Sequence, residues 1–251
     1  MSEVGFSAHW LDLREPADHA ARDGRLLAAA RACVKPGQVI LDLGSGTGST
    51  ARAFARCGAR APWRFLDGDA DLLELAGKRH PGSEQIVANL ADVDALPLDG
   101  VGLVTASALF DLMPRNWIAA LALRLRQARI PLYSALNYNG EMRWTPAQPF
   151  DAEITAAFNR HQSTDKGIGP ATGPHATEVT KEIFEAQGYG VQTADSPWDL
   201  GPEDAALQAD LNRGIATAAQ EAGHPQAEAW LAATNRSHTR IGHTDLLAVL
   251  D

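Results

Sequence analysis

Val39-Ile40-Leu41-Asp42-Leu43-Gly44-Ser45-Gly46-Thr47-Gly48 is the stretch whose reading fixes the fold. Residues 39–41 form a short β-branched and aliphatic run, the composition of a strand buried on both faces. An acid follows, then three glycines at alternate positions. Glycine takes up backbone angles that other residues resist, and it lets a ligand come close to the main chain. Residues 49–56 read as a helix ended by Gly58. The helix start offers unpaired N–H groups and the positive end of a dipole. A strand, an acid, a glycine loop and a helix N-terminus together describe a binding cradle.

The surrounding sequence repeats this alternation. Residues 63–66 read as a second strand, and Asp69 is placed to cap a helix that carries Leu72, Leu73 and Ala76 on one face. Residues 85–88 and 101–106 read as third and fourth strands. Residues 115–128 form an amphipathic helix with Trp117, Ile118, Leu121 and Leu125 as its stripe, and residues 130–136 read as a fifth strand. Strands alternating with helices predict parallel βαβ units, hence a doubly wound α/β fold. Further on, Asp151 is expected to cap a helix through Gln162. A Gly/Pro-rich loop, a helix over Val179, Ile183 and Phe184, a sixth strand at 190–194, Ala-rich helices and a last strand at 243–250 complete the pattern.

Three ligand classes suit the glycine loop. The phosphate-binding loop of nucleotide hydrolases needs a terminal Gly-Lys-Ser/Thr, which is absent. The dinucleotide fingerprint needs G-x-G-x-x-G, and here the third glycine arrives one residue early, with Ser49 in its place. The third is S-adenosylmethionine. Asp42 to Gly48 resembles the first motif of the class I S-adenosylmethionine-dependent methyltransferases: hydrophobic strand, acid, x, Gly-x-Gly-x-Gly. The resemblance runs in order through residues 38–136. Asp67, with Gly68 beside it, ends the second strand where the family's acid accepts both ribose hydroxyls. Asp92, four residues before a Leu-Pro-like pair, matches the residue that meets adenine; Asn89-Leu90, directly after the third strand, is a competing match. Residues 101–112 are similar to the fourth strand and its loop, where methyl donor and acceptor meet.

What the resemblance implies is S-adenosylmethionine as cofactor and S-adenosylhomocysteine as its product. Cofactor contacts are expected from Asp42, Gly44, Ser45, Gly46, Gly48, Asp67, Gly68, Asn89, Leu90, Asp92 and Ser107. A basic residue from the N-terminal helices, Arg14 or Arg22, is expected to reach the cofactor carboxylate. The sheet should have seven mostly parallel strands, with the last antiparallel at its edge. The chemistry is methylation of a small molecule on N or O. A non-catalytic S-adenosylmethionine-binding or interaction protein of the same fold is the alternative, as is a protein methyltransferase.

A family match predicts the cofactor better than the catalytic residue, because the cofactor carries the reactivity and the protein supplies orientation. Asp111 lies in the loop after the fourth strand, where it can hold an amine or take a proton. His161 and Asp165, in a polar stretch before the Gly/Pro loop, are further candidates for a base. Asn137 and Tyr138, at the end of the fifth strand, and Asn159 are candidate substrate contacts. His175, His224, His238 and His243 read as surface or turn residues. No His-Glu-x-x-His or i,i+4 His pair occurs, so no metal site is expected.

Composition limits the partners. The 251 residues carry 22 Lys+Arg against 31 Asp+Glu, a net charge of -9. Such a chain lacks the cationic surface that releases counterions from nucleic acid or attaches to anionic membranes. The expected partner is therefore a small-molecule acceptor, with no nucleic acid and no membrane; the oligomeric state is open. Cys33 and Cys57 offer no disulfide framework, and residues 1–5 lack the basic and apolar regions of a signal peptide, so a cytoplasmic protein is expected. Residues 1–251 are read as one domain. Within it, 1–36 form a helical cover, and 139–175 and 196–242 are acceptor-side insertions.

Overall fold

The computed structural model describes residues 6–58, 61–232 and 237–250. The glycine-loop unit folds as the sequence predicts: β1 (Val39–Leu43) leads through the loop into α3 (Ser49–Arg56), β2 (Trp63–Asp67), α4 (Ala70–Arg79) and β3 (Glu84–Val87). Asp69 caps α4 by accepting from the backbone N–H of Asp71 and Leu72. Then come β4 (Val101–Ser107), α5 (Arg115–Ala128) and β5 (Leu132–Thr145). The strand order is β3-β2-β1-β4-β5-β8-β6, where β6 is Gly190–Asp195 and β8 is His238–Val249. The pairs among β1 to β5 are parallel, while β8 runs antiparallel to both β5 and β6.

Two expectations about the sheet are corrected. An eighth strand, β7 (Trp198–Leu200), pairs with the start of β8. The last strand is not at the edge: it is inserted between β5 and β6, and β6 is the outer strand. The burial of the strands explains this order. β8 contributes the buried Leu246, Leu247 and Ala248, whereas every residue of β6 is exposed or half-buried, as befits an edge strand.

Strand order reverses between β1 and β4, so their C-terminal ends open a crevice, the position where doubly wound sheets bind ligands. The N-terminal helices, α1 (Ala8–Ala21) and α2 (Gly24–Ala32), lie at this sheet. Leu26, Leu27 and Ala30 of α2 pack with Ile40, Phe54, Leu103 and Tyr133. β5 is far longer than its predicted end at 136. Its ladder with β8 is irregular between Ser134 and Asn137 and again between Tyr138 and Met142, and Leu136 sits at φ 55. Beyond these bulges β5 and β8 form a ribbon. On it pack α6 (Asp151–Gln162), α8 (Ala205–Glu221) and α9 (Ala227–Ala232), around Trp144, Trp198 and Trp230. The Trp144 and Trp230 indoles donate to Asn212 and Asp151. Asp151 thus anchors a tryptophan; it is the first residue of α6, and Phe150 takes the capping position expected of it. No helix among the described residues is long and apolar enough to cross a membrane.

Candidate functional site

The glycine loop turns because Gly44, Gly46 and Gly48 all have positive φ, at 61, 50 and 81°. A side chain at Gly46 would also meet Leu11 of α1 at 2.9 Å, and one at Gly48 would meet His80 at 2.9 Å. The loop amides are engaged internally. Gly44 and Ser45 donate to the Leu66 carbonyl, Gly48 donates to that of Ser45, and Gly46 donates to Asp67 Oδ2 at 2.8 Å. The other Asp67 oxygen accepts from Asp69 N at 3.0 Å. Asp67 therefore ties the end of β2 to the tip of the loop, and exposed Gly68 and half-buried Asp69 continue into α4.

Asp42, at the end of β1, is buried. The Thr105 hydroxyl donates to its Oδ1 at 2.7 Å, while Oδ2 is buried without a partner. Burial pushes this carboxyl up to about 7, against the pull of Thr105 and Arg22. The folded chain therefore holds a proton on Asp42 across a window where the unfolded chain has released it. This group's stabilising contribution is complete below roughly pH 4 and is lost as pH rises through about 7. His243, pushed down to about 3 by burial and by Arg14, gives the opposite slope, stability being lost as pH falls below roughly 6.5. Asp42→Asn should remove the first slope and leave the second. Urea midpoints measured across the acid-to-neutral range check this, and an unchanged profile contradicts it.

α1 divides the crevice. One side of it faces the glycine loop: Leu11 lies over Gly46, Glu15 pairs with Arg52, and His19 meets the Ser49 carbonyl at 3.1 Å. An adjacent stripe, Trp10 and Arg14, lines a second space. Arg22, the C-cap of α1, is buried. Its Nη2 donates to Ser107 Oγ at 2.9 Å at the end of β4, and its Nε and Nη1 are buried with no hydrogen-bond partner. The two arginines suggested for one role are thus separated: Arg14 is engaged with Asp18 at 2.9 Å and stacks over Trp198 at 5.0 Å, and only Arg22 reaches the ends of β1 and β4. Ser45 Oγ is likewise buried without a partner.

After β3 the competing matches differ in their engagements. Asn89 Oδ1 accepts from Ala91 N, the Leu90 carbonyl accepts the Trp117 indole N–H at 2.6 Å, and Asp92 caps a short helical turn through Ala95 N.

The second space is a cavity of about 660 Å³ between α1, the loop after β4, the bulged part of β5, α6, α8 and the β7–β8 pair. Asp111, Tyr138 and His161 line it together. Asp111 Oδ1 is buried without a partner, and burial pushes this carboxyl up to about 6. His161 lies 2.8 Å from Glu221.

Three candidates stand elsewhere. Asp165 is exposed, and its carboxylate accepts from the amides of Gly169 and Gly167, which hold it below the usual carboxylate range; it shapes a turn and does not face the cavity. Asn137 is buried inside the β5 bulge, where its amide is taken by Ser134 and the Thr244 carbonyl. Asn159 accepts from the Tyr138 hydroxyl at 2.7 Å and donates to the Gly140 carbonyl, so it orients a lining residue without lining the cavity itself. His243 is also corrected. It is buried and lines the cavity, with its ring 5.2 Å from Trp198.

Sequence reasoning missed Trp10, Trp198 and Asp245. Asp245 is buried on β8 and accepts from Tyr133 Oη, Leu136 N and Asp23 N, fixing both the bulge that carries Tyr138 and the turn that carries Arg22. The only trace of it was an acid within an otherwise apolar final strand. Among the described residues, no group of three or more His, Cys, Asp or Glu is placed to hold a metal ion.

No protein-family model matches the chain, and no curated protein matches it by sequence. Solved structures do match. The cyclopropane synthase MmaA2 from Mycobacterium tuberculosis superposes with a TM-score of 0.55 at 14% identity, over 97% of this chain and 94% of its own. A protein described as a type II methyltransferase from Anaeromyxobacter dehalogenans gives 0.51 at 17% identity, over 90% and 95%. A chain from the complex of the Haloferax volcanii Trm112 methyltransferase activator gives 0.55 at 18%, over 98% and 95%. The chain has the class I methyltransferase fold. On this methyltransferase fold, the glycine loop and Asp67 occupy the C-terminal ends of β1 and β2. The cavity is lined by α1, the loop after β4, Leu136 and Tyr138 of β5, and residues from α6, α8 and the β7–β8 pair.

Proposed function

We propose that the chain is an S-adenosylmethionine-dependent methyltransferase acting on a small molecule at N or O. The observation that carries this is one constellation: a glycine loop closed by Asp67, and buried Arg22 with two unpartnered guanidinium nitrogens at the end of the neighbouring β4. A sulfonium nucleoside of an amino acid presents a diol, a nucleobase and a carboxylate. Asp67 fits the diol, the loop after β3 the base, and Arg22 the carboxylate. When bound, the cofactor supplies an electrophilic methyl group. The protein's part is then to orient the acceptor and exclude water, and positioning alone is worth roughly 7–11 kcal/mol. A pyrophosphate ligand suits the site less well, because the Gly44, Ser45, Gly46 and Gly48 amides it would need already donate within the chain.

Asp111 is the group we assign to the acceptor, and Ser45, Ser107, Asn89, Leu90 and Asp92 to the cofactor side. The small-molecule preference rests on a concave cavity of about 660 Å³, within the size of small-ligand pockets, and on a net charge of -9. We also read the protein as cytoplasmic, in keeping with the free thiols of Cys33 and Cys57.

Calorimetric titration with S-adenosylmethionine and separately with NADH tests the reading. Binding of the first alone is expected. Binding of NADH alone would replace it with an oxidoreductase, and S-adenosylmethionine binding without methyl transfer to any acceptor in a small-molecule panel would favour the non-catalytic alternative.

A further inference from the structure

The cavity beside α1 carries more information than its position. Its walls carry four large rings, those of Trp10, Tyr138, Phe158 and Trp198, among aliphatic and charged side chains. The Phe158 and Tyr138 rings meet edge to face at 5.5 Å, and Trp10 and Trp198 are tilted with centroids 6.5 Å apart. Such walls favour flat apolar partners, which find stacked or edge-on contacts with them.

Most charges at the wall are already engaged with a partner. Arg14 pairs with Asp18, Arg213 with Asp210 at 2.6 Å, and His161 with Glu221 at 2.8 Å. Lys166 donates to the His161 carbonyl and the Thr164 hydroxyl. Asp111 is the exception among the lining carboxylates, since its Oδ1 is buried with no hydrogen-bond partner. An unmet buried acceptor calls for a donor from the ligand.

The charge of that ligand is constrained as well. A cation would seek an aromatic face, but the guanidinium of Arg14 already lies over Trp198 at 5.0 Å. Arg14 and Lys166 both bear electrostatically on Asp111, so a third cation there would be repelled. An anion would face the carboxylate itself. A neutral molecule with one hydrogen-bond donor meets neither obstacle.

We infer that the methyl acceptor is a neutral, planar aromatic molecule carrying a hydroxyl or an aryl amine, its ring held among Trp10, Tyr138, Phe158 and Trp198 and its O–H or N–H donated to Asp111. The term acceptor rests on the methyltransferase reading; the recognition itself does not, and it is measurable on the protein alone.

The test is a calorimetric series on a single naphthalene skeleton: 2-naphthol, 2-naphthylamine, 2-methoxynaphthalene, 2-naphthoate and the 2-naphthylmethylammonium ion. The hydroxyl or amine compound should bind at least about tenfold more tightly than the methoxy compound, the carboxylate or the ammonium ion. Which of the two leads tells O from N. Asp111→Leu should remove the advantage over 2-methoxynaphthalene, and Asp111→Asn, which keeps an acceptor oxygen and most of the shape, should retain part of it. Circular dichroism of each variant shows whether it is folded. Tightest binding of the ammonium ion or the carboxylate overturns the inference, as does no binding by any of the five, or an unchanged ratio in folded Asp111→Leu. A parallel titration with S-adenosylhomocysteine separates the two claims. Its binding without the naphthols defeats the acceptor class alone, and naphthol binding without it defeats the methyltransferase reading alone.

Discussion

Asp67→Ala is expected to weaken S-adenosylmethionine binding by about a hundredfold, roughly 2.7 kcal/mol. Two losses add. The ribose loses a charged acceptor, and hydrogen bonds to charged groups are worth about 1.5–3 kcal/mol. The loop also loses its tie, because Asp67 accepts from Gly46 N at 2.8 Å and from Asp69 N at 3.0 Å. Gly46 is held at a positive φ of 50° under Leu11, and although Ser45 and Thr47 keep their own ties to Leu66 and Arg52, release of Gly46 N loosens the tip between them. Asp67→Asn keeps one acceptor oxygen and should lose only about tenfold. Calorimetry on variants shown to be folded checks both, and unchanged affinity in a folded Asp67→Ala protein would remove the ribose assignment.

Arg22→Met should weaken both cofactor binding and stability. Arg22 donates to Ser107 and lies in the field of the buried Tyr133, Asp245 and Asp18, while its Nε and Nη1 are buried without hydrogen-bond partners. An unmet buried donor costs about 1–3 kcal/mol, but removing the cation also leaves buried Asp245 uncompensated, which outweighs that gain, so methionine should lower the free protein's thermal midpoint. The same change removes the cation proposed to meet the cofactor carboxylate, so S-adenosylmethionine affinity should fall by at least about tenfold. It should also push Asp42 higher still, since Arg22 is one of the groups holding that carboxyl down. A merely structural arginine predicts a lowered midpoint with intact affinity.

What was legible in the sequence was local. The run from Val39 to Gly48 sets a strand, a turn and a helix within ten consecutive positions, and Asp67 and Asp69 declare themselves by lying at the junction of a strand with a helix. Parallel order followed from alternation, since each crossover helix returns the chain to the end of the sheet where the previous strand began. The site's acceptor half was less legible because it depends on long-range partners. Asn137-Tyr138-Asn139-Gly140 has the composition of a turn, yet it continues β5 because β8 pairs with it and Asp245 on β8 holds Leu136 in its bulge. That bulge, not the local sequence, sends Tyr138 to the cavity and seals Asn137 behind it. Similarly, Asp165 has the residue type of a base, but two glycine amides a few positions on claim its carboxylate. Trp10 and Trp198 meet across almost the whole length of the chain, and no periodicity links them.

The central claim is that the C-terminal ends of β1, β2 and β4 hold a nucleoside of methionine between the glycine loop and α1. A crystal structure with S-adenosylhomocysteine tests it most directly. The prediction is a ribose on Asp67, a carboxylate on Arg22 and a sulfur facing the cavity that holds Asp111. A nucleoside bound anywhere else, or crystals grown in saturating compound with the glycine loop bare, would contradict it.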